Sequence, residues 1–136
     1  MAPTTDELIE RAAAVLRPYK TPDGRLFGDV GAAVVAVSGR VYTGVCIDTA
    51  SWGLCAERSA FAAMVTDGEY AIKSVVAVYR DEGSGKLHVL PPCGVCREFM
   101  RQLDAGNLDA EVILGRTERK TLAQLLPHHE WPAALD

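Results

Sequence analysis

Hydrophobic and polar positions along the chain fall into short blocks with clear punctuation. Thr4 and Glu7, three residues apart, have the spacing of a capping box. Leu8, Ile9, Ala12 and Leu16 follow at helical intervals, and Pro18 ends that stripe. Pro18, Pro22, Gly24 and Gly28 mark residues 18–29 as loop. Val30–Val37 barely alternates, the pattern of a strand buried on both faces. Ser38-Gly39-Arg40 turns the chain, and Val41–Cys46 returns as its hairpin partner. After a connector over 47–54, Cys55–Thr66 reads as a helix with Ala60, Met64 and Val65 inward, ended by Asp67-Gly68. Ile72–Tyr79 is a third strand and Leu87–Leu90 a short one, separated by a polar, glycine-containing loop. Pro91-Pro92 introduces a second core helix, Cys93–Leu103, since proline suits a first helical turn. Glu111–Leu114 is a fourth main strand, and Thr121–Leu126 a short helix stopped by Pro127. Strands alternating with helices predict an α/β layered fold.

Length and charge narrow the function. The chain has 136 residues, 49% hydrophobic and 24% charged, which fits one globular domain over residues 1–136. The longest apolar run, Val30–Val37, is far short of a membrane span, which takes about 18 residues or more. No basic segment followed by an apolar stretch opens the sequence, so the expectation is a cytoplasmic protein without a secretory signal. A net charge of −4 argues against sequence-independent binding to nucleic acid. In a reducing compartment the four cysteines, Cys46, Cys55, Cys93 and Cys96, point to metal or thiol chemistry rather than disulfides.

Two of the cysteine clusters combine. Cys55-Ala56-Glu57 and Pro92-Cys93-Gly94-Val95-Cys96 each open a predicted helix, with a strand between them. Either alone is weak, because a lone C-x-x-C also fits a redox pair or a structural zinc knuckle. Together they form the C-x-E…P-C-x-x-C pattern of zinc-dependent deaminases in an all-cysteine version. Three thiolates suit tetrahedral Zn2+ with a fourth position open to water. Helix N-termini favour thiolate over thiol. A carboxylate at Glu57 can move a proton from that water to a substrate nitrogen. Arg58, and as a second candidate Arg97, can offset the negative charge of a zinc trithiolate.

Longer stretches resemble a known family. Val30-Gly31-Ala32, Ser38-Gly39-Arg40-Val41-Tyr42-Thr43-Gly44, Ala50-Ser51-Trp52-Gly53-Leu54, Cys55-Ala56-Glu57-Arg58-Ser59-Ala60, Pro92-Cys93-Gly94-Val95-Cys96-Arg97 and Leu125-Leu126-Pro127 are all similar to motifs of the cytidine deaminase superfamily. The resemblance is to the small homotetrameric branch, which includes blasticidin-S deaminases, and runs from about Val30 to Trp131. It implies a three-layer α/β/α fold with a five-stranded mixed sheet. It also implies a homotetramer whose neighbouring chains help close each pocket, acting on a small-molecule nucleoside. By the resemblance Cys55, Cys93 and Cys96 hold Zn2+, and Glu57 is the proton shuttle. The Ala56 N–H helps hold the pyrimidine, and Arg58 tunes the thiolates.

Departures from the family pattern concentrate where the sugar is held. The family's N-x-E triplet is here Cys46-Ile47-Asp48, and cysteine is a poor hydrogen-bond partner. The expected aromatic before V-G-A falls on Gly28, with Phe27 one place off. The connector before Cys55 is two residues shorter than in cytidine deaminases, as in blasticidin-S deaminases, which also carry a tryptophan after L-L-P like Trp131. Cys46 is read as a buried strand cysteine rather than a fourth ligand. Asp48 is either a substrate contact or a solvated carboxylate. Phe27 either touches ligand or joins the core. Trp131 either stacks on the substrate ring or caps a subunit contact, and His128 and His129 are surface residues. The leading expectation is hydrolytic deamination of cytidine or deoxycytidine to the uridine and ammonia. The alternatives are a blasticidin-S-like or other amino-heterocycle substrate, nucleic-acid editing, and a structural-zinc or dithiol redox module.

Overall fold

The structure, a computed structural model, describes residues 2–136. The capping box forms as read: Thr4 caps α1 (Thr5–Ala14), its side chain taking the Glu7 N–H while the Glu7 carboxylate takes the Thr4 N–H. Residues 18–29, read as loop, contain a two-strand ribbon, β1 (Tyr19–Lys20) with β2 (Leu26–Phe27). The main sheet takes β3 (Val30–Ala36), β4 (Val41–Val45), β5 (Ile72–Arg80), β6 (Leu87–Leu90), β7 (Glu111–Ile113) and β8 (Arg119–Thr121). Between these strands run α2 (Ala56–Thr66) and α3 (Gly94–Leu103), and α4 (Leu122–Leu125) follows β8.

Among the described residues the sheet therefore has six strands, where five were expected. Its order is β4-β3-β5-β7-β8, with β6 also on β5. The discrepancy has a simple cause. β5 is long enough to pair on the same side with two short strands: Ser74 and Val75 pair parallel with β7, and Ala77–Arg80 pair antiparallel with β6. β8 adds a charged edge strand, Arg119-Lys120-Thr121, whose polarity hides it from a hydrophobic pattern.

β3 is buried on both faces, as its lack of alternation predicts. Ala33 and Val35 face Leu8, Ile9 and Ala12 of α1. Ala32, Val34 and Ala36 face Ala60, Phe61 and Met64 of α2 and Met100 of α3. The result is helix, sheet and helix in three layers. Each fully buried Leu, Ile, Phe or Met contributes about 1.5–3 kcal/mol relative to exposure.

One row of the sheet sets the height of α2. Gly44, Ala32, Ala77 and Leu90 lie opposite one another across β4, β3, β5 and β6. A Cβ on Gly44 would stand 2.5 Å from the Ala60 nitrogen, so only glycine admits the helix this close. Ser59 Oγ donates to Val45 O at 2.8 Å and pins the approach. The start of α2 thus rests low over the small end of this row, while the chain leaves β6 at Leu90 and reaches Cys93 three residues later.

Candidate active site

Cys55 and Cys93 are the N-cap residues of α2 and α3, both with extended backbone, and Cys96 follows in the first turn of α3. Neither cap side chain closes the regular capping hydrogen bond of its own helix. The sulfurs are therefore free to face each other across the gap between the helix starts. The Sγ atoms of Cys55, Cys93 and Cys96 lie within 4.8 Å of one another, and Cys55 Sγ is 3.6 Å from Cys93 Sγ. A zinc–sulfur length of about 2.3 Å requires tetrahedral S···S edges of about 3.8 Å. The donor set fits Zn2+ in chemistry and spacing, and three ligands leave one position open.

The surroundings are unequal around the three sulfurs. Cys96 is buried, Cys55 half-buried and Cys93 exposed. Burial first, then the negative groups at Glu57, Cys55 and Cys93, push the Cys96 thiol far above its ordinary range. Cys93 goes the other way. Burial opposes it, but the backbone N–H groups of Cys96 and Val95 and the sulfurs of Cys55 and Cys96 draw it below the usual thiol value. Bringing all three sulfurs to thiolate together needs a cation among them.

Glu57, in the first turn of α2, is 5% exposed, and burial raises its carboxyl above the usual carboxylate range. It belongs to the electrostatic neighbourhood of Cys96, so helix starts from two parts of the chain bring the carboxyl and the sulfurs together. Ala56 is buried at the first position of α2, where helical geometry leaves the N–H without an intrahelical acceptor. Arg58 Nη2 donates to Cys55 Sγ at 3.7 Å, and its guanidinium also interacts with Cys96. Arg97, the second candidate for that task, does something else. Its Nε donates to Pro92 O at 2.8 Å and its Nη1 to Leu125 O at 2.9 Å, tying the start of α3 to the end of α4.

A cavity of about 290 Å3 opens beside the cluster, lined by Cys46, Asp48, Trp52, Leu54, Cys55 and Arg58 among others. Cys46 and Asp48 thus reach the site. Cys46 is outside the three-sulfur cluster, and its thiol donates to Asp29 Oδ1 at 2.9 Å. Phe27 does not line this cavity; it sits in β2 with its ring 6.4 Å from that of Tyr19. Gly28 explains the missing aromatic. Its φ is +74°, and a Cβ there would lie 2.2 Å from Arg17 O. Trp131 is 89% exposed and lines a separate groove with Arg101, Gln102 and His129.

A profile of the cytidine and deoxycytidylate deaminase zinc-binding region matches residues 5–111. The chain belongs to the cytidine and deoxycytidylate deaminase family. It is 34% identical over 102 residues to the cytidine deaminase of Sporosarcina psychrophila, covering 72% of this chain and 71% of that protein. It is 29% identical over 103 residues to the blasticidin-S deaminase of Bacillus cereus, covering 72% and 74%. The crystal structure of cytidine deaminase from Mycobacterium leprae matches with a TM-score of 0.72 at 31% identity, covering 90% of this chain and 97% of that one.

In this deaminase, sequence reasoning missed Trp52 at the site and Asp29 behind it. Trp52 is 97% exposed at the cavity's rim, with φ +70° in a loop closed by the Ile47–Leu54 bridge. Asp29 lies outside every motif and carries no local signal. The β3–β4 pairing could have found it: Gly31 faces Val45, so Cys46 falls opposite Val30, next to Asp29.

Proposed function

We infer that this chain is a zinc-dependent hydrolase that replaces the exocyclic amine of a cytosine-ring nucleoside with oxygen and releases ammonia. The observation that carries the reading is the convergence of three sulfurs and the buried Glu57 at two helix starts. Cys55, Cys93 and Cys96 hold the metal. Zinc held there would supply a water acidic enough to serve as a nucleophile toward C4 of the ring at neutral pH. Glu57 would carry one proton of the attacking water to ring N3 and the second to the departing amine, which leaves as ammonia. Ala56 N–H orients the pyrimidine, and Arg58 draws charge from the Cys55 and Cys96 sulfurs. Cys46 and Asp48 face the sugar. Phe27 and Trp131 complete a pocket when neighbouring chains assemble around it, in a homotetramer of single-domain subunits acting in the cytoplasm.

A second reading keeps the chemistry and changes the ligand to a blasticidin-S-like nucleoside. The short 47–54 loop and the likeness to a blasticidin-S deaminase favour it. A dithiol redox module fits less well, because it leaves the approach of Cys55 to Cys93 and the burial of Glu57 without purpose. No helix among the described residues is long and apolar enough to cross a membrane.

Metal analysis together with a nucleoside panel followed by ultraviolet absorbance tests the reading. The expected result is one zinc per chain and turnover of cytidine, deoxycytidine or blasticidin S. Glu57→Gln is expected to retain zinc and lower kcat by about 10²–10⁴. Turnover without zinc, or zinc with no aminopyrimidine turned over, rejects it.

A further inference from the structure

The three sulfurs are held by different means. Cys96 is buried, and Cys55 is half-buried with Arg58 on its sulfur. Cys93 is exposed, as are Gly94 and Val95 after it, so packing does little to place it. Its position depends on the backbone that carries it. The chain arrives from β6 through Pro91 and Pro92, which have fixed φ and no N–H to bond with. The helical ladder of α3 begins only at Cys93 O, which takes the Arg97 N–H at 3.0 Å. The N–H groups of Val95 and Cys96 serve Cys93 Sγ instead. Among the described residues no backbone N–H holds the Pro92 carbonyl, which shares a peptide plane with the Cys93 nitrogen.

The Arg97 side chain holds it. Nε reaches back to Pro92 O at 2.8 Å, while Nη1 donates to Leu125 O at 2.9 Å, 28 residues further along the chain. Leu125 is the last residue of α4, where carbonyls lack intrahelical donors. That anchor is itself fixed. Thr121 and Gln124 close a capping box, Leu122 is buried, and Leu122 N–H donates to Ala110 O at 3.0 Å. A guanidinium presents both donors in one rigid plane, which a lysine ammonium does not reproduce. The peptide leading into Cys93 is thus oriented from α4, a distant part of the sequence.

We propose that Arg97 is a positioning residue of the metal site: by clamping the Pro92 carbonyl to α4 it sets where the Cys93 sulfur stands relative to those of Cys55 and Cys96. The proposal rests on the zinc reading above and adds a residue that acts through the backbone. Arg97 donates to two carbonyls, whereas Arg58 donates to a sulfur. Its task is therefore geometry and not charge. Partners one layer out from a metal change affinity by about 10–100-fold, and an effect of that size is expected here.

Co2+ taken up by the protein reports sulfur geometry through its visible ligand-field bands, without turnover. Arg97→Met removes both donors, and Arg97→Lys keeps the charge but loses the fork. Thr4→Ala is the control, since it removes a helix cap on the opposite face of the sheet. Arg97→Met is expected to shift and weaken the Co2+ bands and to lower Co2+ and Zn2+ affinity about 10–100-fold in chelator competition. Arg97→Lys should fall between it and the wild type, and it decides alone should Arg97→Met fail to fold. Thr4→Ala, though less stable, should keep the wild-type spectrum and affinity. With metal saturating, kcat and kcat/KM of the Arg97 variants should fall together and leave KM unmoved. A wild-type spectrum in Arg97→Met overturns the proposal. So does a wild-type spectrum in Arg97→Lys, which would make charge sufficient, or an equal change in Thr4→Ala, which would make the effect general loosening. Wild-type protein that takes up neither metal overturns the zinc reading and the proposal with it. Metal bound with the expected spectra, but no aminopyrimidine turned over, rejects the deaminase reading alone and leaves the positioning role standing.

Discussion

The two sides of the cavity are built on different principles. On the cysteine side every reactive group is fixed by regular structure. Cys55 and Cys93 cap helices, Ala56, Glu57 and Cys96 are buried, and Gly44 and Ser59 set how close α2 lies to the sheet. On the opposite side Cys46 and Asp48 open an irregular loop held by the Ile47–Leu54 bridge, with Trp52 almost wholly in solvent. Chemistry that needs three sulfurs within bonding distance of one ion tolerates little displacement, since misplacement by about 1 Å can cost about 10²-fold. Selection among substrates tolerates a loop. The contrast explains how this chain keeps the zinc motif intact while departing from its relatives' pattern at Cys46, Asp48 and Gly28.

The hardest test of that division is Cys96→Ser, because Cys96 is the buried member of the cluster. Zinc is expected to fall to a small fraction of an equivalent and deamination to background. Bound metal stabilises a fold by about 4 kcal/mol when present at about a thousandfold its Kd. Chelation should therefore lower the unfolding temperature of the wild type and leave Cys96→Ser unmoved. A variant that keeps full zinc would place the metal elsewhere.

Arg58→Gln probes the same side more gently. The guanidinium touches Cys55 Sγ and reaches Cys96, with Nε buried and unpartnered. Removing it leaves the thiolates without a neighbouring cation but in place. Groups of this kind tune metal affinity by about 10–100-fold, and a chelator competition should register a loss of that size. An unchanged affinity would reduce Arg58 to a packing residue.

The same contrast governs what the sequence discloses. Helix starts announce themselves locally: Thr4 with Glu7 is a capping box in both sequence and structure, and so is Thr121 with Gln124 in the structure. The cysteine motifs sit on such starts, so their positions were legible. Partners distant in sequence were not. Asn107 is fully buried, taking the Ile72 N–H and donating to Tyr70 O and Met100 O, yet nothing near it in sequence marks it. The β1–β2 ribbon was masked by prolines and glycines, and β8 by its charges. Asp29 and Cys46, 17 residues apart, become neighbours only through the register of β3 on β4. The Cys46 side of the cavity is made of contacts of this kind. Trp131 illustrates the limit again, since its motif-like position after Leu125-Leu126-Pro127 leads in this chain to a groove along the far part of α3.

Cys46→Ala should have the smallest effect and discriminate most finely. Had Cys46 been a fourth ligand, the substitution would lower zinc content; the three-sulfur cluster excludes it, so zinc is expected at the wild-type level. The loss is instead one thiol–carboxylate contact, and a hydrogen bond of ordinary strength contributes about 0.5–1.5 kcal/mol net. That corresponds to about a two- to tenfold change in KM for a nucleoside. The zinc content carries the information. An unchanged metal with a modest shift in KM keeps Cys46 on the loop side of the cavity, where its thiol holds Asp29 and not the ion. A fall in zinc would mean that the two sides of the cavity are not separable and that Cys46 belongs with the metal.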